Sequence, residues 1–93
     1  MRNHDIAKEV GVRMNKVIGQ LQGIQKMVEA DRYCVDILIQ LSSAVGALSK
    51  IEDLVMKQHL EHRVAEAMAS GREEEKEEKI EEVLDVISRF RRR

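Results

Sequence analysis

A run of apolar residues at three- and four-residue steps, Cys34, Leu38, Leu41, Val45, Leu48, Ile51 and Val55, sets the terms for any fold of this chain. That spacing places all seven on one stripe of a helix. Ile37 and Leu54 widen the stripe, and the pattern continues to about Met68. A helix over 33–68 would be about 50 Å long at its standard rise. The chain has 93 residues in all, with one Phe, one Tyr and no Trp. So small a molecule has little with which to cover so long an apolar face. Part of that face is therefore expected to meet another subunit.

A second series precedes it: Ile6, Val10, Met14, Val17, Leu21, Ile24 and Val28. Its steps are close to a heptad seam and predict a helix over 4–30. Gly11, Gly19 and Gly23 lie within it, each costing about 1 kcal/mol relative to Ala. Close packing against another backbone would account for them. A turn is expected at Asp31-Arg32, with Asp31 capping the next helix. Ser70-Gly71-Arg72-Glu73 reads as a stop and a capping box for a third helix over 72–91. Its first turns carry Glu73, Glu74, Glu75, Glu77 and Glu78, and its end carries Arg89, Arg91, Arg92 and Arg93. Both runs match the helix dipole, and the terminal arginines could also touch phosphate. The apolar stripe between them is Ile80, Val83, Leu84 and Ile87, with Phe90 adjacent. The expectation is all-α, a three-helix subunit, and one domain spanning 1–93.

Composition narrows the function. No apolar run approaches the ~20 residues of a membrane span, and the N-terminus carries no hydrophobic signal region. A cytoplasmic protein without a membrane partner is expected. One cysteine permits no internal disulfide. No phosphate loop, His-Glu-x-x-His pair or Gly-x-Ser-x-Gly elbow is present, which argues against an enzyme. A net charge of −1 gives no bulk attraction to nucleic acid, so any such contact must come from a local patch.

The residues with chemistry are Cys34, His59, His62 and His4. Cys34 and His59 are 25 residues apart, which returns them to one helical face within about 20° yet separates them by about 37 Å along the axis. An antiparallel second copy would bring Cys34 of one chain to His59 of the other. The dyad would then fall between Gly46 and Ala47, beside Ser42, Ser43 and Ala44, where small side chains permit close approach. A structural cysteine and an unrelated surface histidine also fit this spacing.

Three stretches resemble the copper-sensitive operon repressor family (CsoR/RcnR), which includes formaldehyde-responsive members. They are Arg13-Met-Asn-Lys16-Val-Ile-Gly19-Gln20-Leu21-Gln-Gly23-Ile24, then Glu29-Ala-Asp31-Arg32-Tyr33-Cys34-Val-Asp36-Ile-Leu38, then Gln58-His59-Leu60-Glu-His62. The resemblance implies an antiparallel dimer, commonly stacked into a disc-like tetramer. It implies a transcriptional repressor that leaves operator DNA when an effector binds. Carried over by position, Cys34 and His59 are ligands and Tyr33 lies beside them. Copper-sensing members place a second cysteine four residues after the histidine, and here that position is Arg63. A guanidinium is no ligand and repels a cation, so copper(I), which favours thiolates, is disfavoured. Nickel, cobalt or zinc would need further donors, for which His62 and His4 are the candidates. Arg63 also opens an alternative, because a cation beside Cys34 would favour its thiolate for covalent capture of formaldehyde or reactive sulfur. A helical adaptor without a DNA role is the alternative from another class. A thiol enzyme lacks a visible base for Cys34.

For the repressor reading, the DNA-facing candidates are Arg13, Lys16 and Gln20, which follow one another at helical spacing in the first helix. Residues 1–32 hold six Lys/Arg against four Asp/Glu.

Overall fold

The computed structural model describes residues 3–90. It contains three helices, α1 (His4–Glu29), α2 (Cys34–Ala69) and α3 (Glu73–Phe90). These match the expected boundaries closely. Arg91, Arg92 and Arg93, expected at the end of the third helix, lie outside the described residues. The chain divides into two compact units, Met1–Val55 and Met56–Arg93.

In the first unit, Asn3 starts α1 by accepting hydrogen bonds from the N–H groups of Asp5 (2.9 Å) and Ile6 (3.2 Å). This is ordinary N-cap chemistry. The helix ends in a Schellman motif: Arg32 N–H donates to Met27 O (2.9 Å) and Asp31 N–H to Val28 O (3.1 Å). Asp31 takes the left-handed conformation that this motif requires, with φ 53°. Asp31 thus closes α1, whereas the spacing had suggested that it would cap α2. The carbonyl of Tyr33 receives the first bonds of α2, from Asp36 and Ile37.

The turn folds α1 back along α2. Val10, Val17 and Ile51 form the buried cluster, with Ile6, Ala47 and Leu54 packed around it. Ile24 and Ala44 are buried as well. The apolar seam of α1 thus parts into two rows. Val10, Val17 and Ile24 are covered, while Met14, Leu21 and Val28 remain exposed together with Ile18. The stripe of α2 parts in the same way. Ile51 is buried, as is Ala44 outside the series, whereas Leu38 is 59% and Val45 66% exposed, with Leu41, Leu48 and Val55 also open. A helix packed on one neighbour covers only the side that faces it. Cys34, Leu38, Leu41, Val45, Leu48 and Val55 thus stay open in the single chain.

No heavy atom outside the local helix lies within 4 Å of a Cβ built on any glycine. The close backbone approach expected at Gly11, Gly19 and Gly23 is therefore not made within this chain.

In the second unit, Ser70 organises the start of α3. Its Oγ accepts from Arg72 N–H (3.2 Å) and donates to Glu75 (2.8 Å). The expected capping box pairs Ser70 with Glu73, but the helix begins later and the serine reaches Glu75 instead. Gly71 does not adopt positive φ, so it is not a left-handed stop. Glu73, Glu74 and Glu75 occupy the first turn of α3 and Arg89 the last, as the dipole favours.

By length and composition α2 is apolar enough to cross a membrane. The expectation concerned an unbroken apolar run, and α2 holds none of that length. The polar interruptions at Asp36, Gln40, Ser42, Ser43, Ser49 and Lys50 explain why no uninterrupted run signals it.

Candidate metal centre

Cys34 is the first residue of α2 and is exposed. Tyr33 precedes it, 69% exposed. His59 lies 25 residues further along the same helix. His4 opens α1 and is exposed. Among the described residues, no three His, Cys, Asp or Glu side chains converge on a point that could hold a metal ion. One chain therefore does not assemble the expected ligand set.

His59, His62 and Arg63 are brought together with acids. His62 Nε2 lies 2.8 Å from Glu66 Oε1, one helical turn on. Arg63 Nη1 donates to the same oxygen at 3.2 Å, and Lys79 of α3 donates to Glu66 Oε2 at 3.2 Å. The Lys79 hydrogen bond is the main cause holding the Glu66 carboxyl below its ordinary range. Partial desolvation opposes it, and the charges of Lys79, His62 and Arg63 add to it. Glu66 is thus the hub that ties α2 to α3. Sequence reasoning missed it: His62 and Arg63 precede it by one turn of α2, but the Lys79 contact comes from another helix and leaves no periodic trace.

A second acid, Glu82 of α3, faces the same turn of α2. Its Oε1 lies 3.0 Å from Arg63 Nε and 4.0 Å from His59 Nε2. Neither contact is an aligned hydrogen bond, and both nitrogen atoms are buried without a hydrogen-bond partner. The 3.0 Å approach is an ion pair with its N–H aimed off the carboxylate. Buried donors of this kind are uncommon.

These residues suit a transition metal in part. Cys34 offers a thiol and His59 an imidazole, the donors favoured by late transition metals. The chain's one cysteine excludes two thiolates from a single copy. The positive charge of Arg63 is met by two carboxylates of its own chain.

On α1, Arg13 Nε pairs with Glu9 Oε2 at 3.0 Å. Lys16 makes no ion pair among the described residues. Gln20 Nε2 approaches the Gln40 carbonyl of α2 at 3.5 Å. Arg13, Lys16 and Gln20 line one shallow groove with Glu9, Val12, Val17 and Ala47. The structure therefore brings the three DNA-facing candidates together, with an acid among them that the spacing argument had not included.

Comparison with known proteins agrees with this architecture. The copper-sensing transcriptional repressor CsoR of Bacillus subtilis (strain 168) is 42% identical over 91 residues, covering 95% of this chain and 87% of its own. The copper-sensing transcriptional repressor RicR of Mycobacterium tuberculosis is 41% identical over 59 residues, 63% of this chain and 62% of its own. Among solved structures, the copper-sensing repressor CsoR with Cu(I) from Geobacillus thermodenitrificans superposes with a TM-score of 0.78 at 36% identity, covering 99% of this chain and 93% of that one. The nickel-responsive transcriptional regulator InrS gives 0.72 at 28% identity, covering 84% and 88%. Residues 7–89 match the profile of the metal-sensitive transcriptional repressors. The chain belongs to that family, whose members are regulators of transcription and not enzymes.

Proposed function

We propose that residues 1–93 act as one unit that binds operator DNA and releases it when a transition-metal ion is captured between two copies. Cys34 of one copy and His59 of the other would be the ligands. The observation that carries this reading is the open apolar row on α2, Leu38, Leu41, Val45 and Leu48, with the exposed Cys34 at its head. Burying that row against an antiparallel copy removes apolar area from water. The same packing brings the two ligand types together at both ends of the dimer, and a dimer of dimers would build the tetramer.

The donor set selects the metal. One thiolate and one imidazole per site, without a second cysteine, suit nickel, cobalt or zinc better than trigonal copper(I). His62 Nε2 is engaged by Glu66, so as a third donor it would use its other ring nitrogen, Nδ1. His4 is the other nitrogen candidate. Tyr33 would stand beside the bound ion. The electrophile reading needs the charge of Arg63 to act on Cys34, but Glu66 and Glu82 already meet that charge. Metal capture is therefore the stronger reading.

Arg13 and Lys16 would contact DNA phosphates, with Gln20 adding an amide. Phosphate contacts position a protein on DNA and make its affinity salt-dependent. As a DNA-binding regulator the protein would work in the cytoplasm.

The test is fluorescence anisotropy with DNA from the protein's own promoter and reduced protein. Nickel, cobalt, zinc, copper(I), formaldehyde and a persulfide donor are added in turn. Release by a metal that is lost in Cys34→Ala supports the reading. Release by formaldehyde or the sulfur donor alone replaces it with covalent sensing. Absence of DNA binding throughout leaves the helical adaptor.

A further inference from the structure

His59 and Arg63 stand one turn apart on α2, and both face a single carboxylate oxygen, Glu82 Oε1, at 4.0 and 3.0 Å. Both buried nitrogens lack a hydrogen bond. One acceptor is thus contested by two donors and fully serves neither. The guanidinium is always charged and lies closer, 3.0 Å against 4.0 Å, so the contest favours Arg63. Glu66 is already shared by His62, Arg63 and Lys79. Glu82 is therefore the carboxylate left for His59.

A histidine that ligates a metal through one ring nitrogen usually donates its other N–H to a carboxylate. That contact fixes the tautomer and makes the ligand more basic. We propose that Arg63 is a positioning residue that withholds Glu82 from His59 and so sets a weak, high-threshold metal site. The inference rests on His59 being a ligand, as argued above. Were His59 to hold an ion through Nδ1, its Nε2–H, which already faces Glu82, would compete with Arg63 for that carboxylate. The ion pair between α2 and α3 at Arg63 would then be exchanged for a hydrogen bond at His59. Part of the binding energy is thereby spent on displacing Arg63.

The test is a double-mutant cycle on the full chain, read as cobalt(II) affinity by competition with a chelator, without DNA. Circular dichroism checks the fold of every variant. Arg63→Gln is expected to tighten cobalt binding about tenfold, and Glu82→Gln to weaken it by about ten- to a hundredfold, the usual range for a supporting carboxylate. The decisive result is the coupling. With Glu82 already replaced by Gln, the gain from Arg63→Gln should vanish. A gain that persists in that background would mean simple repulsion between Arg63 and the ion, and would overturn the proposal. Unchanged or weaker binding in Arg63→Gln overturns it too. Arg63→Lys keeps the charge but loses the fork that spans both acids, and should tighten binding by less. If Arg63→Gln does not fold, Arg63→Lys carries the same cycle. A wild-type protein that binds no cobalt, nickel or zinc refutes the metal reading itself. Metal binding without the coupling refutes only the role of Arg63.

Discussion

Lys79 of α3 donates to the Glu66 carboxylate of α2 at 3.2 Å, and this contact anchors the cluster around His59. Glu66 also meets His62 and Arg63, so three basic side chains converge on one acid. The turn of α2 that carries His59 is therefore held by ionic contacts more than by apolar burial. Among the described residues of this unit, Ala67 is the buried apolar one.

Acid should loosen this attachment. The Glu66 carboxyl is held below its ordinary range when folded, so the unfolded chain takes up a proton first as pH falls. The stability that Glu66 contributes is complete above the ordinary glutamate value, about 4.3, and is lost as pH drops through the lowered folded value. Urea unfolding followed across pH 3–7 should show this loss in the wild type. In Glu66→Gln the same span should be flatter, with lower stability at pH 7.

The buried cluster of the first unit predicts a different response. Ile51→Ala removes the α2 member of a cluster that otherwise consists of Val10 and Val17. A cost of about 2 kcal/mol or more is expected, seen as a lower urea midpoint. Val45 is exposed in the single chain, so Val45→Asp should leave helix content intact while shifting sedimentation toward the monomer. A Val45→Asp protein that stays oligomeric would remove this face from the interface.

Asp31 offers a stabilising change. It holds a left-handed backbone conformation, φ 53°, at the end of α1. Glycine adopts this conformation without the steric cost of a Cβ. Asp31→Gly should therefore raise stability by about 0.5–1 kcal/mol, measured as a higher melting temperature, with DNA binding unchanged.

On the DNA-facing side, Arg13→Ala should weaken operator binding and reduce its salt dependence by about one phosphate contact per copy engaged. The Glu9 pair is exposed and worth little to folding, so the melting temperature should barely move. An unchanged salt slope would take Arg13 off the list of phosphate contacts.

Much of the fold was legible because heptad spacing directly reports a helical stripe. Helix ends were legible to within a residue or two. The use of each stripe was not. Val10, Val17 and Ile24 carry the same hydrophobic signal as Met14, Leu21 and Val28, yet only the first three are covered in one chain. Periodicity gives the direction of a face and not its occupant. Asp31 was misassigned because an aspartate between two helices suits either cap. Cys34 and His59 were legible as candidates from type and spacing. The Glu66 and Glu82 contacts were hidden within an acid-rich background, where only the third dimension distinguishes one glutamate from another.

The central claim is that Cys34 and His59 act across two copies. Cys34→Ala and His59→Ala chains, mixed and allowed to exchange, test it most directly. Each variant alone should fail to bind cobalt(II) with a thiolate charge-transfer band. In a mixed dimer, the intact Cys34 of one variant meets the intact His59 of the other, and one site per mixed dimer should return with that band. A mixture as inactive as its two components would contradict the shared site and, with it, the proposed mode of release from DNA.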